Sequence, residues 1–342
     1  MQLRGWKVVI VLFAAVGAIA IATALYGSSV RQDYRVASRG DLERTSVDLT
    51  DTRVVWVEQV RTTPPRGAVV AYDIATRTRA VLDDGNASLA YPVAVDGDLA
   101  AWVVGDGPFA VRVYDFATKS SFLVGGGQGD NITLPGRTLE DRALLVAGSL
   151  GGGGPLVYVV QVDERDETHT SKLKLTSAPR ILDGSVFEWN PERPPSPLVV
   201  SAGRAWWWAN HTIVGAGLGS APSPRSFEAG GPVVGLDADG DLLTWDEDQG
   251  RIRRVMFHDL RNGTQGEVTT IPYDQHGAAV NGTRVALVQH DGLVRLKDLA
   301  TGAERVLPAR TQENLGIRLA PHWAVWLSGT IEGHNVLVVP LG

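Results

Sequence analysis

Acidic side chains cluster in one stretch of the sequence and could bind a cation. Asp237, Asp239 and Asp241 alternate along the chain, and an Asp-Glu-Asp run follows at 246–248. Calcium favours several oxygen ligands, which alternating aspartates can supply. However, glycine occupies the fourth position of this stretch instead of the sixth, and no glutamate follows where a bidentate ligand is expected. We therefore expect a solvated turn and predict no metal site here.

Other residues have the types that catalysis uses, but their spacing does not support it. Ser149 stands in the sequence AGSLG, which approximates the nucleophile elbow of hydrolases. That motif needs a helix after the serine, whereas a glycine run and an apolar segment follow here. The seven histidines lack the His-x-x-x-His spacing of zinc enzymes. His276, His290 and His334 lie near expected strand ends or turns and could face a central axis. We predict no catalytic residue and no cofactor.

The tryptophan triplet at 206–208 resembles a platform for stacking a sugar or a quinone. Alternate residues of a strand face opposite sides, so Trp206 and Trp208 share one face and Trp207 has the other. Five of the ten tryptophans occupy one position of a sequence repeat, which is described below. We therefore expect core packing to account for most of them.

Composition excludes several classes of protein. The chain has 342 residues, 44% hydrophobic and 20% charged, as in a folded protein. It contains no cysteine, which excludes disulfides, thiolate metal sites and cysteine nucleophiles. The formal net charge of −6 argues against nucleic acid as a partner, because phosphate binding needs a concentrated basic surface.

An uncharged apolar run at 8–26 follows Arg4 and Lys7. As a helix of 1.5 Å per residue it would be roughly 28 Å long, close to the thickness of a bilayer core. We predict that residues 1–27 form a signal anchor that holds the protein in the cell membrane. The alternative is a signal peptide cleaved near Ala24, which would leave a secreted protein.

Five of the eight asparagines stand in Asn-x-Ser/Thr sequons, where composition predicts about one. Two of them are followed by glycine, which is also ordinary turn chemistry. The excess still favours N-glycosylation and thus a body outside the cytoplasm. Many glycosylation sites without any disulfide suggest an archaeal cell surface. The predicted sites are Asn86, Asn131, Asn210, Asn262 and Asn281.

The rest of the chain repeats one pattern about every 45 residues. A turn with Asp, Asn or Gly leads into a short apolar strand that often ends in tryptophan, as at Trp56, Trp102, Trp245 and Trp326. A strand with Tyr-Asp or a similar pair, a turn and a fourth strand follow. Strand repeats of 40–50 residues are typical of β-propellers. We predict an all-β propeller of seven four-stranded blades over 46–342, while six or eight blades stay open as alternatives.

The last repeat stops after its third strand, which would leave an exposed sheet edge. We therefore predict that a strand from the segment 28–45, within 33–37, completes the last blade and closes the ring. A proline-rich stretch at 188–197 cannot join a sheet ladder and is expected to be a surface insertion. The third repeat has irregular spacing in its second half.

The repeats resemble those of TolB-like or WD40-like (PD40-type) extracytoplasmic propellers. The resemblance covers about 46–342 and depends on the turns 96–98 and 238–241 and on the Tyr-Asp pairs at 72–73 and 114–115. This chain lacks the Ser-Pro that usually precedes Asp-Gly, and it lacks the C-terminal α/β-hydrolase domain of some related peptidases. The resemblance therefore implies a fold and a location outside the cytoplasm but no activity.

We expect a binding or scaffolding module, because loops on a rigid scaffold commonly carry recognition. A protein or a glycan is the expected partner on one propeller face. Loops that join second and third strands include 57–66, 246–251 and 328–334. Binding residues are predicted on this loop side at Arg61, Arg66, Asp246, Asp248, His290, Glu332 and His334.

Two alternatives remain open at this point. One is a propeller enzyme of hydrolase, lyase or quinoprotein type, with polar groups that converge at the central channel. The other is a purely structural component of the cell envelope.

Overall fold

The structure is a computed structural model that describes the strands and most of the turns of the chain body. The described residues are 35–38, 42–60, 66–84, 93–104, 110–124, 131–133, 139–140, 143–149, 156–163, 174–175, 180–181, 198–209, 211–217, 225–250, 252–269, 275–310, 316–330 and 333–342. In that part of the chain, no helix is long and apolar enough to cross a membrane. The predicted anchor at 8–26 and the insertion at 188–197 lie outside the described residues.

The described strands form seven antiparallel sheets, which we number I to VII. Strand β1 spans Arg35–Ser38. Sheet I contains β2 (Leu42–Leu49), β3 (Arg53–Val60), β4 (Arg66–Asp73) and β5 (Thr78–Asp83), and sheet II contains β6 (Val93–Asp96), β7 (Leu99–Val104), β8 (Ala110–Asp115) and β9 (Ser120–Val124). Sheet III contains β10 (Asn131–Thr133), β11 (Leu139–Glu140), β12 (Ala143–Ser149), β13 (Leu156–Asp163), β14 (Lys174–Leu175) and β15 (Arg180–Ile181).

The second half of the chain follows the same order. Sheet IV contains β16 (Leu198–Ser201), β17 (Arg204–Ala209), β18 (Thr212–Gly217) and β19 (Arg225–Glu228), and sheet V contains β20 (Val233–Asp239), β21 (Leu242–Asp248), β22 (Arg253–Asp259) and β23 (Thr264–Glu267). Sheet VI contains β24 (Gln275–Asn281), β25 (Arg284–Gln289), β26 (Leu293–Asp298) and β27 (Glu304–Arg310). Sheet VII contains β28 (Ile317–Leu319), β29 (Trp323–Thr330), β30 (Gly333–Pro340) and β1.

The first strands of the sheets contact one another in chain order. Strand β2 contacts β6, β6 contacts β11, and the series continues through β16, β20 and β24 to β28, which contacts β2. The apolar residues between neighbouring sheets form separate core clusters, one for each described pair of sheets. The first strands therefore lie innermost, and the described clusters show face-to-face packing between sheets I and II, IV and V, V and VI, VI and VII, and VII and I.

The closing strand predicted from the sequence is present. β1 pairs antiparallel with β30 and becomes the fourth strand of sheet VII. It spans residues 35–38, one residue beyond the predicted range of 33–37. Val36 packs against the core cluster between sheets VII and I, so the pairing also buries apolar surface. Strand β2 begins at Leu42, inside the segment 28–45 that the sequence assigned to a linker and closing strand.

Repeat-position tryptophans occupy the cores between the sheets. Trp56, Trp102, Trp245 and Trp326 lie on second strands and are at most 1% exposed. Trp56 packs with residues of sheet VII, and Trp326 packs with residues of sheet VI, so each ring faces the preceding sheet. Burying such a large ring is a major stabilising contribution to each interface.

Candidate functional site

Strand order divides the connections between two faces of the molecule. Turns that join first to second strands and third to fourth strands lie on one face, which we call the turn face. Connections from second to third strands, and from each sheet to the next, lie on the opposite face, which we call the loop face. The loop face is the candidate functional site, because all seven predicted binding residues belong to second strands, third strands or their connections.

In sheets I, II, V and VI the described turns of the turn face are short and closed by internal hydrogen bonds. An aspartate ends the third strand of sheets I, II, V and VI, and its carboxylate accepts backbone N–H bonds from the turn that follows. The backbone N–H of Thr76 is the main cause that lowers the pKa of Asp73. The side chain of Arg261 lowers the pKa of Asp259. These carboxylates hold the turns in place.

The structure describes three of the predicted binding side chains. Arg61 and Glu332 lie outside the described residues. Arg66 begins β4 and His334 lies in β30, but their side chains are outside the described part. Asp246, Asp248 and His290 are described in full and lie at the loop-face ends of sheets V and VI.

Asp246 is buried and forms hydrogen bonds across the interface between sheets V and VI. Its side chain is 5% exposed, and its two oxygens accept bonds from the backbone N–H groups of Gly277 at 2.6 Å and Ala278 at 3.0 Å. The register of β24 shifts between His276 and Ala279, so this bulge presents two N–H groups without a ladder partner in its own sheet. The Asp246 carboxylate satisfies both groups.

Two other carboxylates of the acidic stretch, Asp237 and Asp239, have similar roles. Asp237 accepts a bond from the backbone N–H of Val280, and Asp239 accepts one from Gly282. The first bond joins β20 of sheet V to β24 of sheet VI, and the second joins β20 to the turn that follows β24. Among the described residues, no group of three or more His, Asp or Glu side chains could hold a metal ion. Three carboxylates of the stretch, those of Asp237, Asp239 and Asp246, thus form hydrogen bonds between sheets V and VI.

Asp248 and His290 are accessible on the loop face. The Asp248 carboxylate accepts a bond from the backbone N–H of Gly250 and closes the short connection between β21 and β22. His290 is exposed and begins the connection between β25 and β26. His290 thus lies on the second-to-third connection and not on a first strand, where it would face the axis. These two side chains are the described members of the predicted set that could touch a partner.

Buried carboxylates beneath the loop face bind tryptophan rings, a role the sequence analysis did not foresee. The indole N–H of Trp56 donates to Glu58 at 2.9 Å, and Arg79 pairs with the same carboxylate at 2.8 Å. In sheet II the indole N–H of Trp102 donates to Asp83 of sheet I, which also pairs with Arg112. An acidic residue two positions after the repeat tryptophan, such as Glu58, is visible in the sequence and could have indicated this hydrogen bond.

Glu247 extends the same arrangement to sheet V. It follows the repeat tryptophan by two residues, as Glu58 does, and it is 2% exposed. Its carboxylate accepts bonds from the indole N–H of Trp245, from the backbone N–H of Gly230 and from the Gln249 amide. These hydrogen bonds offset the free-energy cost of burying the charged carboxylate of Glu247.

The tryptophan triplet is part of the core. Trp206 is fully buried and Trp207 is 5% exposed, while Trp208 is half-buried. Trp206 and Trp208 belong to the cluster between sheets IV and V, as the alternation along the strand predicts. Phe227 contacts Trp206 in this cluster and stacks on His258 with ring centroids 4.2 Å apart. The triplet thus contributes mainly to packing between sheets.

Two predicted glycosylation sites are described, and both lie on the turn face. Asn262 is exposed in the turn between β22 and β23, where its side chain bonds to Asp259 and Thr264. Asn281 is half-buried at the end of β24. Asn131 begins β10, with its side chain outside the described part, and Asn86 and Asn210 lie outside the described residues.

Comparison with solved structures identifies the fold class as a β-propeller. The β-propeller domain of the trilobed protease from Pyrococcus furiosus superposes with a TM-score of 0.63 at 11% identity, over 87% of this chain and 95% of that domain. A puromycin-hydrolyzing peptidase of Mycobacterium tuberculosis gives a TM-score of 0.61 at 12% identity, over 88% of this chain. Pyrococcus horikoshii acylaminoacyl peptidase gives 0.57 at 12% identity, over 86% of this chain.

The two peptidases are longer proteins, and this chain spans only 51% and 50% of their lengths. At such low identity the likeness concerns the fold alone. The trilobed protease domain has an open velcro topology, whereas β1 and β30 join the two ends of this chain in one sheet. No protein-family model matches the sequence, and no curated protein matches it.

Proposed function

We propose that this protein is a membrane-anchored, extracytoplasmic propeller whose loop face binds a protein or glycan partner. The seven sheets are its seven blades, residues 8–26 are its anchor, and its repeats are related to those of TolB-like propellers. The seven-blade assignment is supported by the unbroken series of contacts between first strands, from β2 through to β28 and back to β2.

The contrast between the two faces carries this proposal. First-to-second turns such as 97–98 and 240–241 contain two residues, and the described turns of that face are fixed by aspartates and glycines. Connections from one sheet to the next on the loop face are longer, as at 84–92, 182–197 and 268–274, than the third-to-fourth turns of sheets I, II, V and VI, which contain at most five residues. A rigid ring with long connections on one face resembles other scaffolds that bind partners through loops.

A binding role fits the chemistry of the loop-face side chains better than catalysis does. Asp246 and Glu247 are buried and already accept hydrogen bonds from backbone, indole and amide N–H groups. The accessible Asp248 and His290 belong to connections of sheets V and VI, which are neighbours. Polar side chains on adjacent loops provide complementary contacts to a partner without forming a reaction centre.

The binding face is tested by capture of partners from native membranes with the full chain. We expect the double variant Asp248→Ala/His290→Ala to weaken capture about tenfold, because a contact at a binding hot spot is worth more than about 1 kcal/mol. The matched control is Asp241→Ala/His322→Ala, which removes the same residue types from the turn face. Equal capture by both double variants, or no captured partner with the unmodified chain, would contradict a binding role for this face.

The location is tested separately on the native protein. A single-pass anchor predicts that the chain stays in the membrane pellet after alkaline extraction and that its body is cleaved by protease added outside intact cells. Intact-mass analysis is expected to show glycan on at least one of the five sequon asparagines. Release by alkali, or protection of the body from external protease, would overturn the anchored topology.

A further inference from the structure

Asp48 on β2 and Asp237 on β20 occupy the same position of sheets I and V. Each follows the first-strand residue that is paired with the repeat tryptophan of its sheet. Each is at most 2% exposed, and one oxygen of each accepts a bond from a backbone N–H on the first strand of the next sheet. These donors are Val95 at 2.8 Å and Val280 at 2.9 Å. The two carboxylates therefore form the same bond at two interfaces between sheets.

The second oxygen of each carboxylate has a different environment in the two sheets. In sheet I, the Nε atom of Arg318, on the first strand of sheet VII, lies 3.7 Å from this oxygen of Asp48 and supplies a positive charge. In sheet V, Oδ1 of Asp237 is buried and has no hydrogen-bond partner in the part of the chain that the structure describes. The residue of sheet IV that corresponds to Arg318 is Val199, which carries no charge. Within the described residues, the ion pair of Asp48 thus has no counterpart at Asp237.

A second buried oxygen without a partner lies on the neighbouring strand. Thr244 on β21 is paired with Asp237, so both side chains project from the same face of sheet V toward sheet VI. Thr244 is 0% exposed, and its hydroxyl oxygen has no hydrogen-bond partner among the described residues. In sheet I the residue opposite Asp48 is the apolar Val55. Sheet V therefore has a hydroxyl at the position where sheet I, which has the arginine, has a methyl group.

These two oxygens have the chemistry of a small cation site. Carboxylate and hydroxyl oxygens are ligands for hard cations, and calcium commonly takes several carboxylates. Asp237 offers a single negative charge, and no group of three or more His, Asp or Glu side chains in the described ranges could hold a metal ion. A monovalent cation would balance this one charge, as Arg318 balances Asp48. A water molecule would satisfy both oxygens but would leave the buried charge without a counter-charge.

We propose that a monovalent cation, sodium or potassium, binds between Asp237 and Thr244 in the interface of sheets V and VI. Asp237 Oδ1 and Thr244 Oγ1 are its side-chain ligands, and the cation supplies the charge that Arg318 supplies to Asp48. Binding there makes the stability of this interface depend on the salt around the protein. The site is separate from the loop face, so the inference does not depend on whether that face binds a partner.

The site is tested by thermal unfolding of the full chain in sodium chloride, potassium chloride or choline chloride at one ionic strength. Screening of charges is the same in the three salts, whereas choline is too large for a buried site. The buried tryptophans report unfolding by their fluorescence. Because the cation binds only the folded state, sodium or potassium should raise the midpoint by about 2 °C or more over choline. Equal midpoints in all three salts would overturn the cation and leave water as the occupant.

Two matched pairs of variants locate the effect. Thr244→Val should abolish the difference between the small cations and choline, whereas Thr244→Ser keeps the hydroxyl and should retain the difference. Asp237→Asn should also abolish it, while Asp48→Asn, at the equivalent position beside Arg318, should retain it. Persistence of the difference in Thr244→Val, or its loss in Asp48→Asn, would overturn the assignment to this site. If an aspartate variant fails to fold, the threonine pair decides alone, because valine and serine are close to threonine in size.

Discussion

Removal of the Asp246 carboxylate should weaken the interface between sheets V and VI. Its oxygens are 2.6 Å from the Gly277 nitrogen and 3.0 Å from the Ala278 nitrogen, in a site where Asp246 is 5% exposed. A hydrogen bond to a charged group contributes about 1.5–3 kcal/mol, so Asp246→Ala should cost about 3–6 kcal/mol. Asp246→Asn retains one acceptor oxygen and should lose about half as much.

The measurement is denaturation by urea, followed by the fluorescence of the buried tryptophans. Asp241→Ala is the matched control, since Asp241 is exposed in a nearby turn and its removal should change stability by less than about 0.5 kcal/mol. Amide hydrogen exchange at Gly277 and Ala278 should accelerate in Asp246→Ala, because both groups lose their acceptor. If the two alanine variants unfold at the same urea concentration, the carboxylate does not support the interface as argued.

Three further outcomes follow from the structure. Gly215→Ala should destabilise the protein by about 3 kcal/mol or more, because the new methyl carbon would lie 2.2–2.7 Å from three atoms of the Trp206 ring. Arg77→Gly should raise the free energy of unfolding by about 0.5–1 kcal/mol, since relief of the left-handed strain exceeds the entropy cost of glycine. Because hydrogen bonds led by the Thr76 N–H lower the folded-state pKa of Asp73, its contribution to stability is present above the ordinary value of about 3.9 and is lost as pH falls through the lower folded value. Asp73→Asn should therefore flatten the dependence of the thermal midpoint on pH below about 4.

Each of these outcomes has a direct comparison. Gly266→Ala places a methyl carbon 3.1 Å from Phe257, so it should cost less than Gly215→Ala, and the reverse order would contradict the packing argument. Arg77→Ala keeps the strain while it removes the charge, so it should not raise stability as Arg77→Gly does. An unchanged pH profile in Asp73→Asn would show that this carboxylate contributes nothing measurable to the acid sensitivity of the fold.

The repeats could be predicted from the sequence because their signals are local. A turn rich in Asp and Gly, an alternating apolar strand and a tryptophan at a fixed offset all lie within one sheet, as in 96–102 and 239–245. The closing strand followed from an incomplete last repeat. These inferences needed no knowledge of distant contacts.

The roles of the acidic side chains could not be predicted in the same way. Asp237 and Asp246 bond to backbone groups of the next sheet, 43 and 32 residues further along the chain at Val280 and Ala278. No local pattern distinguishes such an acid from one in a solvated turn. The bulge in β24 that exposes the two N–H groups depends on how two sheets pack, which a single sequence does not reveal.

The pairing of β1 with β30 has a consequence for how the molecule is made. Arg35 lies opposite Leu337, so sheet VII cannot be completed until the chain has been synthesised as far as β30. Until then β1 has no partner strand and is available for incorrect pairing, and joining such distant segments is intrinsically slow. If the proposed N-terminal anchor is already inserted in the membrane, it restricts where β1 can be. β30 then has a smaller volume to search before the two strands pair and complete the fold.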